Sequence, residues 1–354
     1  AEPGAEPGAS DAWRHLEHDS EAFVAEQEKV ARLVHQVRHA DPDVTFRMLN
    51  LLRGFFDKGG PHRIVFTLPA LVVAALRLAS HVLDATCGDA PSGRVVPQPS
   101  IAVDGIFSFS HALCARLSPL APEESLRLWL LCASATERAI NRMGDGDGLS
   151  AICYRFLESG LGCLETAVCG SEARFRGLQL LVGTLRQLTC LRGAKYELAA
   201  ERVVQLGSQF PSMRLQSRAF CLCSGLFWGP ACHQPSRTLA CLRGSLRLAD
   251  SAIHVDPMDV SLFVEVLDEA VHHFGQGNEE ITASFLSGLL ALCVQHLRYI
   301  ESRAPVEALR GLHVALADLR EKQARASERA PPGAEPPGEA PPEPATSARY
   351  AELR

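Results

Sequence analysis

From residue 23 to residue 320 the apolar side chains recur at steps of three and four, and period-two alternation sustained over five or more residues is hard to find. Residues 258–274 show the pattern plainly. Val260, Phe263, Val264, Leu267, Val271 and Phe274 fall on one side of a helix, while Asp259, Glu265, Asp268 and Glu269 fall on others. A chain written with a 3.6-residue period buries such stripes only by packing helix on helix. The expected fold class is therefore all-α.

The same period predicts helices over 23–37, 44–56, 69–83, 101–117, 123–142, 150–168, 172–191, 196–206, 215–227, 236–250, 280–299 and 306–319. Breakers stand between them: Asp41-Pro42-Asp43, Gly59-Gly60-Pro61, Pro119 to Pro122, Gly144 to Gly148, Gly229-Pro230, Asp256-Pro257 and Gly275 to Gly277. Short links between amphipathic helices make antiparallel neighbours, and a long row of such hairpins is an α-solenoid. Some helices, such as Arg127 to Ala135, are apolar over more than half their circumference, as suits a helix touched on two or three sides. No tetratricopeptide or ankyrin signature repeats, so HEAT-like antiparallel pairs of about 40 residues are the expected unit. The repeated Ala-Glu-Pro-Gly at the start and the run PPGAEPPGEAPPEPAT at 331–346 predict disordered ends over 1–20 and 328–354, flanking a solenoid over 21–327. A Gly/Pro-rich loop from Thr86 to Ser100 is the one long connection expected inside it.

Composition narrows the function classes. With 35 Lys+Arg against 41 Asp+Glu, a net charge of −6 and no lysine-rich run, the chain lacks the basic surface that nucleic-acid binding requires. The most apolar stretch, 64–83, contains Pro69 and Arg77, so a membrane span of ~20 residues is not expected. No basic segment followed by an apolar one succeeds Ala1, so no secretory address is read. The 12 cysteines sit inside apolar helical patterns and are expected to be reduced core thiols in a cytosolic compartment.

No phosphate loop, dinucleotide fingerprint, G-x-S-x-G elbow or H-E-x-x-H pair occurs. Cys221, Cys223, Cys232, His233 and Cys241 are the richest cluster of soft ligands. Yet two cysteines one residue apart on a helix point about 200° from each other, so core thiols are expected there. Asp145-Gly146-Asp147-Gly148 begins like a calcium loop, but its twelfth position is Phe156 where a bidentate Glu is needed, which leaves a helix–helix turn. His35 and His39, four apart, share a helix face and make a two-histidine half-site geometrically possible without a third ligand, and the adjacent His272 and His273 face different ways. These histidines are expected to be solvated or capped. No cofactor, metal or catalytic residue is expected.

Ala40-Asp41-Pro42-Asp43, Met48-Leu49-Asn50, Gly59-Gly60, Arg63-Ile64 and Phe66-Thr67-Leu68-Pro69, in that order and spacing, closely resemble the vacuolar protein sorting-associated protein 35 family, the large retromer subunit. Ile106-Phe107-Ser108-Phe109 with His111, then Leu226-Phe227-Trp228, Asp256-Pro257 and Leu262 to Leu267, extend the resemblance along the structured region. It implies a non-enzymatic α-solenoid scaffold, cytoplasmic and peripheral on endosomal membranes, in the sorting of transmembrane cargo to the Golgi or plasma membrane. The implied partner is the metallophosphoesterase-fold retromer subunit, vacuolar protein sorting-associated protein 29, held by the C-terminal half to which this chain corresponds. The family's N-terminal P-R-L-Y-L motif, which docks the arrestin-like subunit, has no counterpart here, so the resemblance does not carry that partner over to this chain. Sorting nexins or other endosomal adaptors fit the family, with membrane contact only indirect.

Read on the residues alone, Gly59-Gly60-Pro61 ends one helix and Thr67 caps the next, with Pro69 in its first turn. Arg63, Phe66, Leu68, Pro69, Phe227, Trp228 and Phe263 are the candidate interface residues, core packing being the competing reading for the apolar ones. Two other readings of the whole chain stand beside the scaffold: a different α-solenoid trafficking adaptor, and an all-α enzyme with a site of scattered Asp, Glu and His.

Overall fold

Proline and glycine set the helix boundaries. The computed structural model describes residues 21–87, 99–144, 148–300 and 306–328. Asp145 to Asp147, most of the loop after Thr86, and both Pro-rich ends lie outside them. Among the described residues there are thirteen α-helices, one 3₁₀ turn and a two-residue β-ribbon. The all-α expectation holds.

The chain divides into two compact units, residues 1–184 and 185–354. The first contains α1 (Glu21–Val34), α2 (Pro42–Asp57), α3 (Pro61–Cys87), α4 (Val103–Leu117), α5 (Pro122–Met143) and α6 (Leu149–Thr166), while α7 (Ser171–Gln187) crosses the division. Asp41 caps α2 by accepting the Asp43 amide at 2.8 Å, with Pro42 in the first turn. Gly60, at φ +81°, adopts a left-handed conformation that L side chains resist and so ends that helix. Pro61 then opens α3.

That start corrects the reading of Phe66 to Pro69 as a helix beginning. Pro69 lies inside α3, and Thr67 caps nothing: its hydroxyl donates back to the Arg63 carbonyl oxygen at 3.0 Å. Gly60-Pro61 is the stronger signal because it combines a stop with a residue whose missing N–H costs nothing at N1. Pro69 removes one interior hydrogen bond. Burial of Leu68, Leu71, Val72, Leu76 and Leu78 on the same helix offsets that loss. By length and apolarity, Pro61–Thr86 would also suffice to cross a bilayer, contrary to the expectation drawn from Pro69 and Arg77. Here it is the central helix of its unit, 61% buried and packed against α1, α2, α4 and α5.

The second unit contains α8 (Ala194–Ser208), α9 (Met213–Ser224), β1 (Trp228–Gly229), β2 (Cys232–His233), α10 (Pro235–Ile253), a 3₁₀ turn (Pro257–Val260), α11 (Ser261–Gly275), α12 (Ala283–Ile300) and α13 (Val306–Glu328). The ribbon is antiparallel, with Trp228 opposite His233 and Gly229 opposite Cys232. It shortens α9, which ends at Ser224 rather than 227. The core surrounds α11, which touches α9, α10, α12 and α13. Leu262, Phe263, Val266, Leu267, Ala270 and Phe274 are accordingly buried almost all round it. Among the described residues most helices pack on their successor and some, such as α1 on α3 and α11 on α13, on the one after, the solenoid pattern.

Nine of the twelve free cysteines are buried, Cys190 is half-buried, and Cys87 and Cys169 are exposed, so the core assignment fails for those two. Burial pushes the Cys241 thiol up to about 11 and that of Cys293 to about 12, and raises Cys221 and Cys223 as well. Thiols of this kind stay protonated near neutral pH and are poor ligands and nucleophiles.

Candidate interaction surface

The sequence-derived candidates fall in two places. Arg63, Phe66, Leu68 and Pro69 share the first turns of α3. Arg63 is exposed, with its Cδ 3.4 Å from where a Cβ on Gly59 would stand. Phe66 is half-buried, edge-on to Phe23 at 6.4 Å, and Pro69 is half-buried too, whereas Leu68 is fully buried. In the second unit, Phe227 is buried beneath the Arg237 guanidinium, 4.2 Å from its ring centroid. Trp228 is half-buried on the ribbon, edge-on to His233 at 5.2 Å. Phe263 is buried in the core of that unit. Leu68, Phe227 and Phe263 therefore work inside the fold, and the solvent-facing part of the set is Arg63, Phe66, Pro69 and Trp228.

A larger apolar surface lies next to Arg63, on α2. Thr45 and Leu49 are buried. Phe46 meets Phe109 edge-on at 5.5 Å, Arg53 lies 5.7 Å over the Phe109 ring, and Asp57 pairs with Arg116 at 3.1 Å. Those contacts use the faces toward α3 and α4. Val44, Met48, Leu51 and Phe55, at steps of four, three and four, occupy a separate sector about 60° wide. Leu51 is 65% and Phe55 66% exposed. The Lys58 ammonium lies 5.8 Å over the Phe55 ring, so the stripe ends in a cation. Sequence reasoning passed over this face although the signal was present: α2 carries more apolar residues than one buried side can use. Large apolar side chains in a row with a polar rim are what partner binding uses.

Asp43 fixes this helix to the segment that leads into α4. Its carboxylate accepts from Ser100 N at 3.0 Å, Ser100 Oγ at 2.7 Å and Ile101 N at 2.9 Å, and these bonds, led by the Ser100 hydroxyl, hold its pKa below the usual range. The sign follows from linkage: the tie is present above the ordinary carboxylate range and is lost as pH falls through the depressed value. Asp43→Ala is expected to accelerate exchange of the Ser100 and Ile101 amide hydrogens. Exchange at the wild-type rate would show that the tie holds nothing.

Two histidine expectations are corrected. The first helix ends at Val34, so His35 and His39 share no helix face. Instead the Arg77 guanidinium donates to His35 Nδ1, and His39 Nδ1 accepts the Asp41 amide at 3.0 Å. His273, expected to be solvated or capped, is fully buried: its Nε2 lies 3.0 Å from Ser224 Oγ and 3.3 Å from Glu269 Oε1. The Arg186 guanidinium lies 3.9 Å from the same carboxylate. Ser, His and Glu here do not make a nucleophile relay. Both oxygens compete for one ring nitrogen, Nδ1 has no hydrogen-bond partner among the described residues, and the serine hydroxyl also donates to the Cys221 carbonyl oxygen at 2.6 Å.

Of the soft-ligand cluster, Cys221 and Cys223 lie on α9, Cys232 and His233 on β2, and Cys241 on α10. The Cys221 thiol donates to the Glu265 carbonyl oxygen at 3.7 Å.

Stacked helices of this kind, one of them bearing an exposed apolar face, define a helical-repeat protein. The family model described as vacuolar protein sorting-associated protein 35 matches residues 8–296. The chain is 29% identical over 287 residues to vacuolar protein sorting-associated protein 35A of Arabidopsis thaliana, covering 78% of this chain and 35% of that protein. It is 27% identical over 275 residues to vacuolar protein sorting-associated protein 35 of Dictyostelium discoideum, covering 75% and 33%, and 24% identical over 291 residues to that of Schizosaccharomyces pombe, covering 80% and 32%. The chain belongs to the vacuolar protein sorting-associated protein 35 family. It spans about a third of the length of these relatives.

Proposed function

We propose that this chain is a non-enzymatic scaffold segment of retromer, working at the cytoplasmic face of endosomal membranes, and that it holds the metallophosphoesterase-fold subunit, vacuolar protein sorting-associated protein 29. The observation that carries this reading is the family match over residues 8–296. The contact we assign is the α2 stripe with Lys58 and Arg63, together with the half-buried Phe66 and Pro69. Sorting nexins or other endosomal adaptors are secondary partners, and contact with the membrane runs through them.

The reading is tested by size-exclusion chromatography with light scattering on a mixture of this chain and the phosphoesterase-fold subunit. A one-to-one complex is expected, and separate elution would refute the assignment of that partner. The surface is tested apart from the reading. Leu51→Asp with Phe55→Asp is expected to weaken the complex by about two orders of magnitude, as loss of two central anchors does, with circular dichroism unchanged because both residues face solvent. Arg63→Glu is expected to have a smaller effect, and binding unchanged by all three substitutions would remove this face from the interface.

A further inference from the structure

The first unit contains a cavity of about 450 Å³ between the link from α1 to α2 and the outer face of α3. Its charged and imidazole lining is His35, Arg38, His39, Arg77, His81 and Asp84, with the hydroxyls of Thr45 and Ser80, over a floor that includes the buried Ala74 and Leu78. Arg77, His81 and Asp84 stand at steps of four and three on α3 and so share one face.

The hydrogen bonds fix the polarity of this lining. A guanidinium only donates, so His35 Nδ1, which meets Arg77, is an acceptor and the ring proton sits on Nε2. The His39 ring is set the same way, its Nδ1 accepting the Asp41 amide at 3.0 Å. The His39 backbone is held by its own N–H donating to Thr45 Oγ1 at 3.1 Å. Burial first, and the Arg77 charge second, hold the His35 pKa down, so that ring remains a neutral Nε2–H donor. Arg38 and Arg77 have no carboxylate partner among the described residues, and the one carboxylate in the lining, Asp84, is paired with Arg142. The result is a concave site with two uncompensated cations and two imidazoles locked as donors.

We propose that this cavity binds a phosphomonoester dianion presented on a peptide, a phosphoserine or phosphothreonine in a flexible segment of a partner protein. Two arginines with oriented N–H groups around them are the donor set that such a group selects. The apolar floor accepts a neighbouring side chain of the peptide. A lipid headgroup is disfavoured because the chain carries a net charge of −6 and would approach an anionic bilayer against repulsion. The site stands whether or not the phosphoesterase-fold subunit binds elsewhere.

The test uses the full chain and a fluorescent peptide of glycine and alanine around one phosphoserine, with its unphosphorylated twin, read by anisotropy. The phosphorylated form is expected to bind at least roughly tenfold tighter, with competition by millimolar inorganic phosphate, and Arg38→Gln/Arg77→Gln is expected to abolish the difference. Arg38→Gln alone, on the exposed link, is expected to lose several-fold and keeps the test open if the double variant does not fold. Equal affinity for the two peptides, or a preference that survives in a folded double variant, would overturn the proposal. Binding to phosphatidylcholine vesicles containing a phosphatidylinositol monophosphate, without preference between the peptides, would also overturn it and assign the site to lipid.

Discussion

Phe263→Ala lowers the stability of the second unit by about 3–5 kcal/mol, the range for truncating a fully buried phenylalanine in a core that cannot collapse around the void. The side chain is 1% exposed and its ring stacks on His296 at 4.7 Å with a 20° interplanar angle. Leu267 and Phe274 on the same helix are buried with it, and Leu286, Leu289 and Cys293 from α12 belong to the same cluster. Urea unfolding followed by circular dichroism measures the loss. The internal comparison is Phe55→Ala, which removes the same side chain from a solvent-facing stripe and is expected to change stability by no more than about 0.5 kcal/mol. A loss below about 1 kcal/mol for Phe263→Ala, or equal losses for the two variants, would contradict the assignment of one phenylalanine to the core and the other to the surface.

The second large effect concerns charge. Glu269→Gln is expected to cost about 2–3 kcal/mol at neutral pH, because it leaves the buried His273 and the nearby Arg186 without their carboxylate. Burial alone pushes the Glu269 carboxyl up, but His273, Arg186 and His272 together bring it below its ordinary value. A carboxylate with a depressed folded pKa stabilises the protein above its unfolded pKa, and that contribution disappears as pH falls through the folded value. The stability gap between wild type and Glu269→Gln should therefore be widest near pH 7 and shrink on the acid side of the carboxylate range. Urea midpoints measured across that interval decide it. A gap independent of pH would mean that the residue acts by shape and not by charge.

What the sequence disclosed is the part governed by local rules. The stripe on α11 was legible because Phe263, Val264, Leu267, Val271 and Phe274 keep helical spacing without interruption, with Val260 of the preceding 3₁₀ turn in the same row. The start of α3 was misread because Thr67 and Pro69 have the chemistry of a helix beginning, yet Gly60 and Pro61 had already supplied one. Only packing on four neighbouring helices makes an interior proline tolerable, and such packing is not a local property. The ribbon at Trp228–Gly229 and Cys232–His233 is too short to leave a period.

His273 is expected from sequence to be solvated or capped because its partners, Ser224 and Glu269, reach it from α9 and from one turn back on α11, and the first of these is not a local neighbour. The proposed anion cavity escaped notice for a related reason: Arg77 lies on α3 and His35 on the link from α1 to α2, far apart in sequence. The α2 stripe was legible in retrospect. Val44, Met48, Leu51 and Phe55 are surplus to Pro42, Thr45 and Leu49, the side chains that α2 buries, and a second apolar face on one helix asks for a second neighbour.

The central claim is that this chain is a partner-binding scaffold of its family, and titration calorimetry against the metallophosphoesterase-fold retromer subunit from the same organism tests it most directly. A stoichiometric complex of micromolar or tighter affinity, roughly −8 kcal/mol or beyond, is expected. A folded, helical chain that releases or absorbs no heat with that subunit across the micromolar range would contradict it.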